Sequence, residues 1–195
     1  MVLLTLTTYK GQGLCGGSLI NSMWVLTAGH CLEDQTNNLE LIDKSNVTVH
    51  LGIHDRTFSA EDEDTRISLN ISEIIMHPDK KKGHIVFDFA LLKLDKEINF
   101  MAHPKIRPVC LPENNLEDFA GQDATLTGWG LIGPLLGLPE IYQIKKNTAK
   151  RNMSSAVCAS SMYSHLCIKM SSFLFLRSCS MPRMLYLSCG IPFPV

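Results

Sequence analysis

One histidine, His30, stands at the end of an apolar segment and directly before a cysteine, in Leu26-Thr27-Ala28-Gly29-His30-Cys31. Histidine changes charge near neutral pH, so it can act as a general base that takes a proton from a weak nucleophile. A serine hydroxyl needs such a base, together with a carboxylate that fixes the imidazole tautomer. Alone, His30 is more typical of a packed histidine, so the flanking sequence has to decide its role.

Five segments that carry recognisable motifs follow one another along the first two-thirds of the chain. They are Cys-Gly-Gly-Ser-Leu-Ile at 15–20, Trp-Val-Leu-Thr-Ala-Gly-His-Cys at 24–31, Phe-Asp-Phe-Ala-Leu-Leu-Lys-Leu at 87–94, Arg-Pro-Val-Cys-Leu-Pro at 107–112 and Thr-Gly-Trp-Gly at 127–130. Together they resemble the chymotrypsin/trypsin family of serine proteases. The resemblance implies peptide hydrolysis through an acyl-enzyme, with His30 as the general base and Asp88 as the acid that orients it. In the family an alanine usually precedes this histidine, whereas Gly29 stands here, a one-carbon change expected to be tolerated even if it loosens the turn.

The segment that carries the nucleophile in the family, Gly-Asp-Ser-Gly-Gly, does not occur in this sequence. If Cys179 matches the cysteine that precedes the nucleophile, Arg183 occupies the serine position and Arg177 the specificity position. If Cys189 begins the late family segment instead, the nucleophile stretch is missing between Cys179 and Cys189. Both alignments lose the serine and, with it, the backbone amides of the oxyanion hole. The serines of this region, none of them in a glycine-flanked turn, are Ser171, Ser172, Ser178 and Ser180.

The family function and the missing serine segment point in different directions. We expect a trypsin/chymotrypsin-like serine endopeptidase by family, whose present sequence is an inactive fragment or the product of a faulty gene model. Residues 145–183 favour the latter, because they are rich in Ser, Met and Cys without strand-like alternation. Residues 1–10 make a poor signal peptide and resemble a first strand, so we expect the signal and the activation sequence to be missing. The alternative is a non-catalytic protease homologue that serves as a protein-binding module.

Short apolar segments separated by turn residues predict an all-β fold. Strands are expected at 17–20, 24–27, 47–51 and 89–94. The family resemblance implies two antiparallel six-stranded β-barrels, the first over about residues 1–105, followed by a linker over about 106–118. The second barrel, over about residues 119–195, is expected to be incomplete, because only 65 residues follow Gly130.

The cysteines and the glycosylation sequons predict a secreted, extracellular protein. Seven cysteines accompany three Asn-x-Ser/Thr sequons, at Asn46, Asn70 and Asn152, and disulfides persist in oxidising compartments. The resemblance implies that the disulfide pairs are Cys15–Cys31, Cys158–Cys167 and Cys179–Cys189. Cys110 is then left over, since its usual partner in the family lies in a pro-segment.

Charge and hydropathy exclude two classes of partner. The net charge is −1, with 18 basic and 19 acidic residues, so nothing favours nucleic acid. No segment approaches the roughly 20 apolar residues of a membrane-spanning helix. The expected partners are protein or peptide substrates and possible protein inhibitors, and no cofactor is expected.

Two charged runs and a histidine pair have plain interpretations. Lys80-Lys81-Lys82 is expected to decorate a loop, since three lysines do not make a binding patch. Glu61-Asp62-Glu63-Asp64 resembles a calcium-binding loop of some family members, but a solvated acidic loop explains it as well. His50 and His54 could share a strand face, yet no third ligand has suitable spacing, so no metal site is expected.

Overall fold

The computed structural model describes residues 1–35, 37–53 and 65–111, Trp129, and the backbone of short strands at 125–126, 156–158, 167–169, 176–178 and 185–187. Some sequence predictions fall on residues outside this part of the chain. They concern Asn152, Cys179, Cys189, His54 and the acidic run 61–64.

Most of the described chain is strand. In chain order the strands are β1 Val2–Thr8, β2 Gly11–Leu19, β3 Trp24–Thr27, β4 Glu33–Asp34, β5 Glu40–Leu41, β6 Val47–Leu51, β7 Ile67–Met76, β8 Ala90–Leu94, β9 Val109–Cys110, β10 Thr125–Leu126, β11 Ala156–Cys158, β12 Cys167–Lys169, β13 Leu176–Ser178 and β14 Leu185–Leu187. Two short 3₁₀ helices, η1 at Gly29–Leu32 and η2 at Lys44–Asn46, lie among them. The predicted all-β class is confirmed.

Six antiparallel strands close into a barrel in the order β1-β2-β3-β8-β7-β6. The burial pattern of β8 alternates along the strand: Ala90, Leu92 and Leu94 are buried, whereas Leu91 and Lys93 are partly exposed. Alternation with period two places one set of side chains inside the barrel, where each large apolar residue contributes about 1.5–3 kcal/mol of burial free energy. The fully buried interior side chains include Leu4, Leu19, Leu32, Leu51, Leu92, Leu94, Val2, Val25, Val47 and Val49.

The predicted strands at 24–27 and 47–51 coincide with β3 and β6. β7, in contrast, was not among the predicted strands. Its residues Ile67, Leu69 and Ile71 alternate with polar ones, but the register against β8 shifts between Ile71 and Glu73. Such a bulge moves later side chains to the other face, so the apolar pattern loses its phase halfway along the strand.

The later part of the chain forms a four-stranded sheet in the order β10-β14-β13-β9 and a two-stranded pair, β11-β12. In that pair Cys158 and Cys167 lie opposite each other in antiparallel register. The proposed domain boundaries and the second barrel stay predictions. Within the described residues, no helix has the length and apolar character needed to cross a bilayer.

Candidate active site

His30 and Asp88 are brought together by the pairing of β3 with β8. Thr27, the last residue of β3, lies opposite Ala90, the first residue of β8. His30 stands three residues after Thr27, in η1, and Asp88 stands two residues before Ala90. Antiparallel pairing places the end of one strand beside the start of the other, so both side chains emerge at the same edge of the barrel.

Asp88 holds His30 through both carboxylate oxygens. Asp88 Oδ2 lies 2.6 Å from His30 Nδ1, and Oδ1 accepts a hydrogen bond of 2.7 Å from the backbone N–H of His30. The first contact assigns the proton to Nδ1 and leaves Nε2 as the basic nitrogen. The second fixes the main chain of η1, so that both the ring and its backbone are oriented by one carboxylate.

The environment keeps Asp88 ionised. Its side chain is only 8% exposed, and this burial by itself works to raise the pKa of the carboxyl. The hydrogen bonds from His30, the charge of His30 and the charge of Lys80 outweigh burial, so the pKa of Asp88 lies below its ordinary value. An ionised carboxylate that orients a neutral imidazole is the arrangement that general-base catalysis requires.

A disulfide ties η1 to the barrel. Cys15 on β2 bonds Cys31, which directly follows His30, and their Cα atoms lie 6.1 Å apart. The predicted pair Cys15–Cys31 is confirmed. A closed loop of this length stabilises the fold by about 3 kcal/mol in the chain-entropy model, and here it also restrains the segment that carries the histidine.

Lys80 approaches the same carboxylate from the loop after β7. Its ammonium lies 3.7 Å from Asp88 Oδ1 and donates a hydrogen bond of 2.7 Å to Glu33 Oε1. The side chains of Lys80 and Glu33 are 2% and 4% exposed. In the run predicted to decorate a loop, Lys82 is exposed and pairs with the exposed Glu40, whereas the side chain of Lys80 is buried. Nothing in the sequence links Lys80 to Glu33, which lie 47 residues apart.

Gly29 is buried beside these groups. A methyl group on Gly29 would lie 3.0 Å from Lys80 Cε, 3.1 Å from Met76 Cε and 3.2 Å from Asp88 Oδ1. The glycine thus sits where an additional carbon would be crowded, which gives the departure from the family alanine a packing reason.

Two groups of side chains that could ligate a metal have other partners in this structure. Cys15, His30 and Cys31 bring three ligand atoms within 4.8 Å of one another, but the two sulfurs form the disulfide and Nδ1 contacts Asp88. His50 lies 2.9 Å from Thr5 Oγ1 through Nε2 and 2.8 Å from Ser68 Oγ through Nδ1. Zinc binds cysteine as the thiolate, and the two sulfurs of the first group are joined in the disulfide instead.

The remaining predicted sites have mixed outcomes. Asn46 and Asn70 are exposed, and their glycosylation stays a prediction. Cys110 is disulfide-bonded, so the expectation that it is left over is wrong. The pairs Cys158–Cys167 and Cys179–Cys189 stay predictions. The candidate serines Ser171, Ser172 and Ser180 lie outside the described residues, and of Ser178 only the backbone is described.

Comparisons with known proteins identify the family of this sequence. The family model described as Trypsin matches residues 1–174. The chain is 37% identical over 135 residues to ovochymase-2 of Mus musculus, covering 69% of this chain and 20% of that protein. It is 31% identical over 169 residues to vitamin K-dependent protein C of Mus musculus, covering 75% and 34%. It is 34% identical over 128 residues to venom serine protease 34 of Apis mellifera, covering 63% and 29%. The chain therefore spans about a third or less of each of these relatives.

Proposed function

We propose that this chain, which belongs to the trypsin family of serine proteases, presents His30 and Asp88 as the general base and orienting acid of a serine endopeptidase. The single observation that carries the proposal is the double contact of Asp88 with the ring and the backbone of His30, at 2.6 and 2.7 Å. That contact leaves Nε2 able to accept a proton from a hydroxyl. The substrate class that follows is a protein or peptide, attacked at a backbone carbonyl.

We propose further that this sequence does not complete the reaction by itself. It contains no Gly-Asp-Ser-Gly-Gly segment, so the nucleophile and the oxyanion hole of the family have no counterpart among its motifs. Without them, the pair can polarise a hydroxyl but cannot form the acyl-enzyme. This same observation favours the second candidate, a protease homologue that binds a protein partner without cleaving it.

An extracellular location belongs to the proposal. The Cys15–Cys31 disulfide supports it, because such bonds persist where the environment is oxidising. The similarity to a venom protease supports it as well, since venom is a secretion.

A fluorophosphonate probe, which phosphonylates activated serines, tests the inactive state. The purified chain and its H30A variant are incubated with the probe beside a trypsin-family protease that has a complete triad. We expect labelling of the reference protease alone. Stoichiometric labelling of the chain that is lost in H30A would overturn the proposed inactivity and establish an active hydrolase.

The transcript separates the two candidates. Translation of the genomic DNA downstream of the codon for Cys167, in all frames, shows whether Gly-Asp-Ser-Gly-Gly-Pro is encoded there. Its presence favours an endopeptidase whose sequence is misassembled here. An intact transcript without it favours the non-catalytic homologue.

A further inference from the structure

The buried ion pair behind Asp88 has no part in the function proposed above. Lys80 and Glu33 are almost completely buried, at 2% and 4% exposure of their side chains. A buried charge is costly unless it is paired and hydrogen-bonded. Lys80 meets that condition, since it also donates to the carbonyl of Lys81 at 3.1 Å. The Lys80–Glu33 pair is costly to bury and lies beside Asp88, so we look for a role for it beyond stability.

The Glu33 carboxylate binds both the ammonium of Lys80 and the backbone of the loop that follows it. It directly follows η1, three residues after His30, and its carboxylate accepts the hydrogen bond from Lys80. The same carboxylate faces the backbone N–H of Gly83 at 3.3 and 3.2 Å. Glu33 therefore joins the histidine segment to the loop that carries Lys80, and it sets where the positive charge stands.

The loop geometry and Gly29 complete the arrangement. Residues 77–80 form a turn in which the backbone N–H of Lys80 donates to the carbonyl of His77 at 3.0 Å, with Pro78 at the position that turns favour. The turn directs the lysine stem back toward η1, where the missing side chain of Gly29 leaves room for Lys80 Cε. Together these contacts hold the Lys80 ammonium 3.7 Å from Asp88 Oδ1.

We infer that Lys80 is a positioning residue for the His30–Asp88 pair, that Glu33 holds its charge in place, and that together they set the basicity of His30. The inference rests on the proposed function, because it concerns the same base and acid. The ammonium stabilises the ionised carboxylate of Asp88, and a carboxylate already stabilised by one cation attracts the imidazolium proton less. Glu33 offsets this effect by neutralising Lys80. Among the described residues, the charged or titratable groups within ion-pair distance of Asp88 and Lys80 are His30 and Glu33.

Two single substitutions have opposite electrostatic consequences. E33Q removes the negative charge and leaves the ammonium uncompensated beside Asp88, so the imidazolium of His30 is destabilised. K80M removes the positive charge and leaves Glu33 near the pair, so the imidazolium is stabilised. Damage to packing alone would not give opposite signs from two partners of one contact.

The experiment is a pH titration of the His30 ring by proton NMR on the full chain, with the resonance assigned from H30Q. We expect the titration midpoint to fall in E33Q and to rise in K80M, each by about one pH unit, as for a charge added or removed within a few ångströms. The matched controls are E40Q and K82M, from an exposed pair that joins β5, the partner strand of β4, to the loop of Lys80, and both should leave the midpoint unchanged. Shifts of the same sign, or no shift beyond the controls, would overturn the inference.

A third variant separates this inference from the proposed function. D88N removes the carboxylate that stabilises the imidazolium, so the His30 midpoint falls if the pair exists. A fall in D88N without opposite shifts in E33Q and K80M leaves the pair in place and overturns the role of Lys80. No change in D88N overturns the pair itself. If K80M does not fold, a His30 midpoint that does not fall in E33Q relative to E40Q still overturns the inference, because glutamine retains an acceptor for the Gly83 amide.

Discussion

Thr27 and Ala90 lie directly opposite each other in the ladder between β3 and β8, and this register determines where the candidate site forms. A strand that slips by one residue turns every side chain to the other face. The barrel core therefore holds the register, and the register brings His30 and Asp88 to one edge although 58 residues separate them in the sequence. The buried side chains of Val25 and Leu92, partners in the same ladder, secure it.

The first prediction concerns D88N and stability. Asparagine retains one acceptor oxygen but replaces the other with an NH₂ group. Only one of the two His30 donors, the backbone N–H and protonated Nδ1, then keeps an acceptor. We expect D88N to lower the free energy of unfolding by about 1.5–3 kcal/mol, the worth of a hydrogen bond to a charged group. Urea denaturation followed by fluorescence measures the loss. D95N, at an exposed aspartate, should stay within about 0.5 kcal/mol of the parent chain, and an equal loss in both variants would show that Asp88 has no special role.

The second prediction concerns the pH dependence of stability through His50. Burial, and then the charge of Arg66, lower the pKa of His50 below its ordinary 6.5. Between the folded and unfolded values the unfolded chain binds more protons, so the contribution of His50 is complete above about pH 6.5 and is lost as the pH falls toward the folded pKa. Urea midpoints between about pH 5 and 8 should decline less steeply toward acid in H50Q than in the parent chain.

The control for this effect is H84Q, at an exposed histidine, which should keep the slope of the parent chain. Glutamine at position 50 can still reach the hydroxyls of Thr5 and Ser68, which contact the ring at 2.9 and 2.8 Å. Parallel pH profiles for H50Q and the parent would show that His50 does not contribute to acid sensitivity.

The third prediction concerns backbone strain beside the acid. Phe87 has a φ of 55°, in the left-handed region that costs an L-residue about 1–2 kcal/mol. Its ring stacks on His77 with 4.9 Å between ring centroids. We expect F87V to be about 1–2 kcal/mol less stable than F87N, because asparagine tolerates this conformation and a β-branched residue does not. Both variants lose the ring stack, so their difference in urea denaturation isolates the backbone term, and equal stabilities would contradict the assigned strain.

Much of the barrel and the close approach of Asp88 to His30 could be predicted from the sequence, because the signals for them are local. The alternation of Val47, Val49 and Leu51 marks β6 within five residues. His30 and Asp88 are each embedded in a short motif that the family shares. The Cys15–Cys31 bond follows from the same motifs, and the geometry of β2 and η1 accommodates it.

The contacts of Lys80 and Glu33 beside the His30–Asp88 pair could not be predicted, because they depend on tertiary packing. Lys80 belongs to a run of three lysines that resembles a solvated loop, and only the turn at 77–80 directs it inward. Gly29 is visible in the sequence as a departure from the family alanine. The packing reason for the glycine is seen only from the position of Lys80 Cε, which no local sequence rule supplies.

The last prediction concerns the fit between Gly29 and the lysine stem, tested by a double-mutant cycle. G29A adds a methyl group 3.0 Å from Lys80 Cε and 3.2 Å from Asp88 Oδ1, and such overpacking costs about 1–3 kcal/mol. In a K80A/E33Q background the lysine stem is absent. The added E33Q change ensures that the Glu33 carboxylate is not left buried without its cation. We expect G29A to cost less there by at least about 0.5 kcal/mol, the size of a coupling between contacting residues. G13A is the control, since a methyl on Gly13 would meet its neighbours at 3.8 Å and should show no coupling to K80A/E33Q. An unchanged cost of G29A in the two backgrounds would mean that the glycine is not required by the lysine.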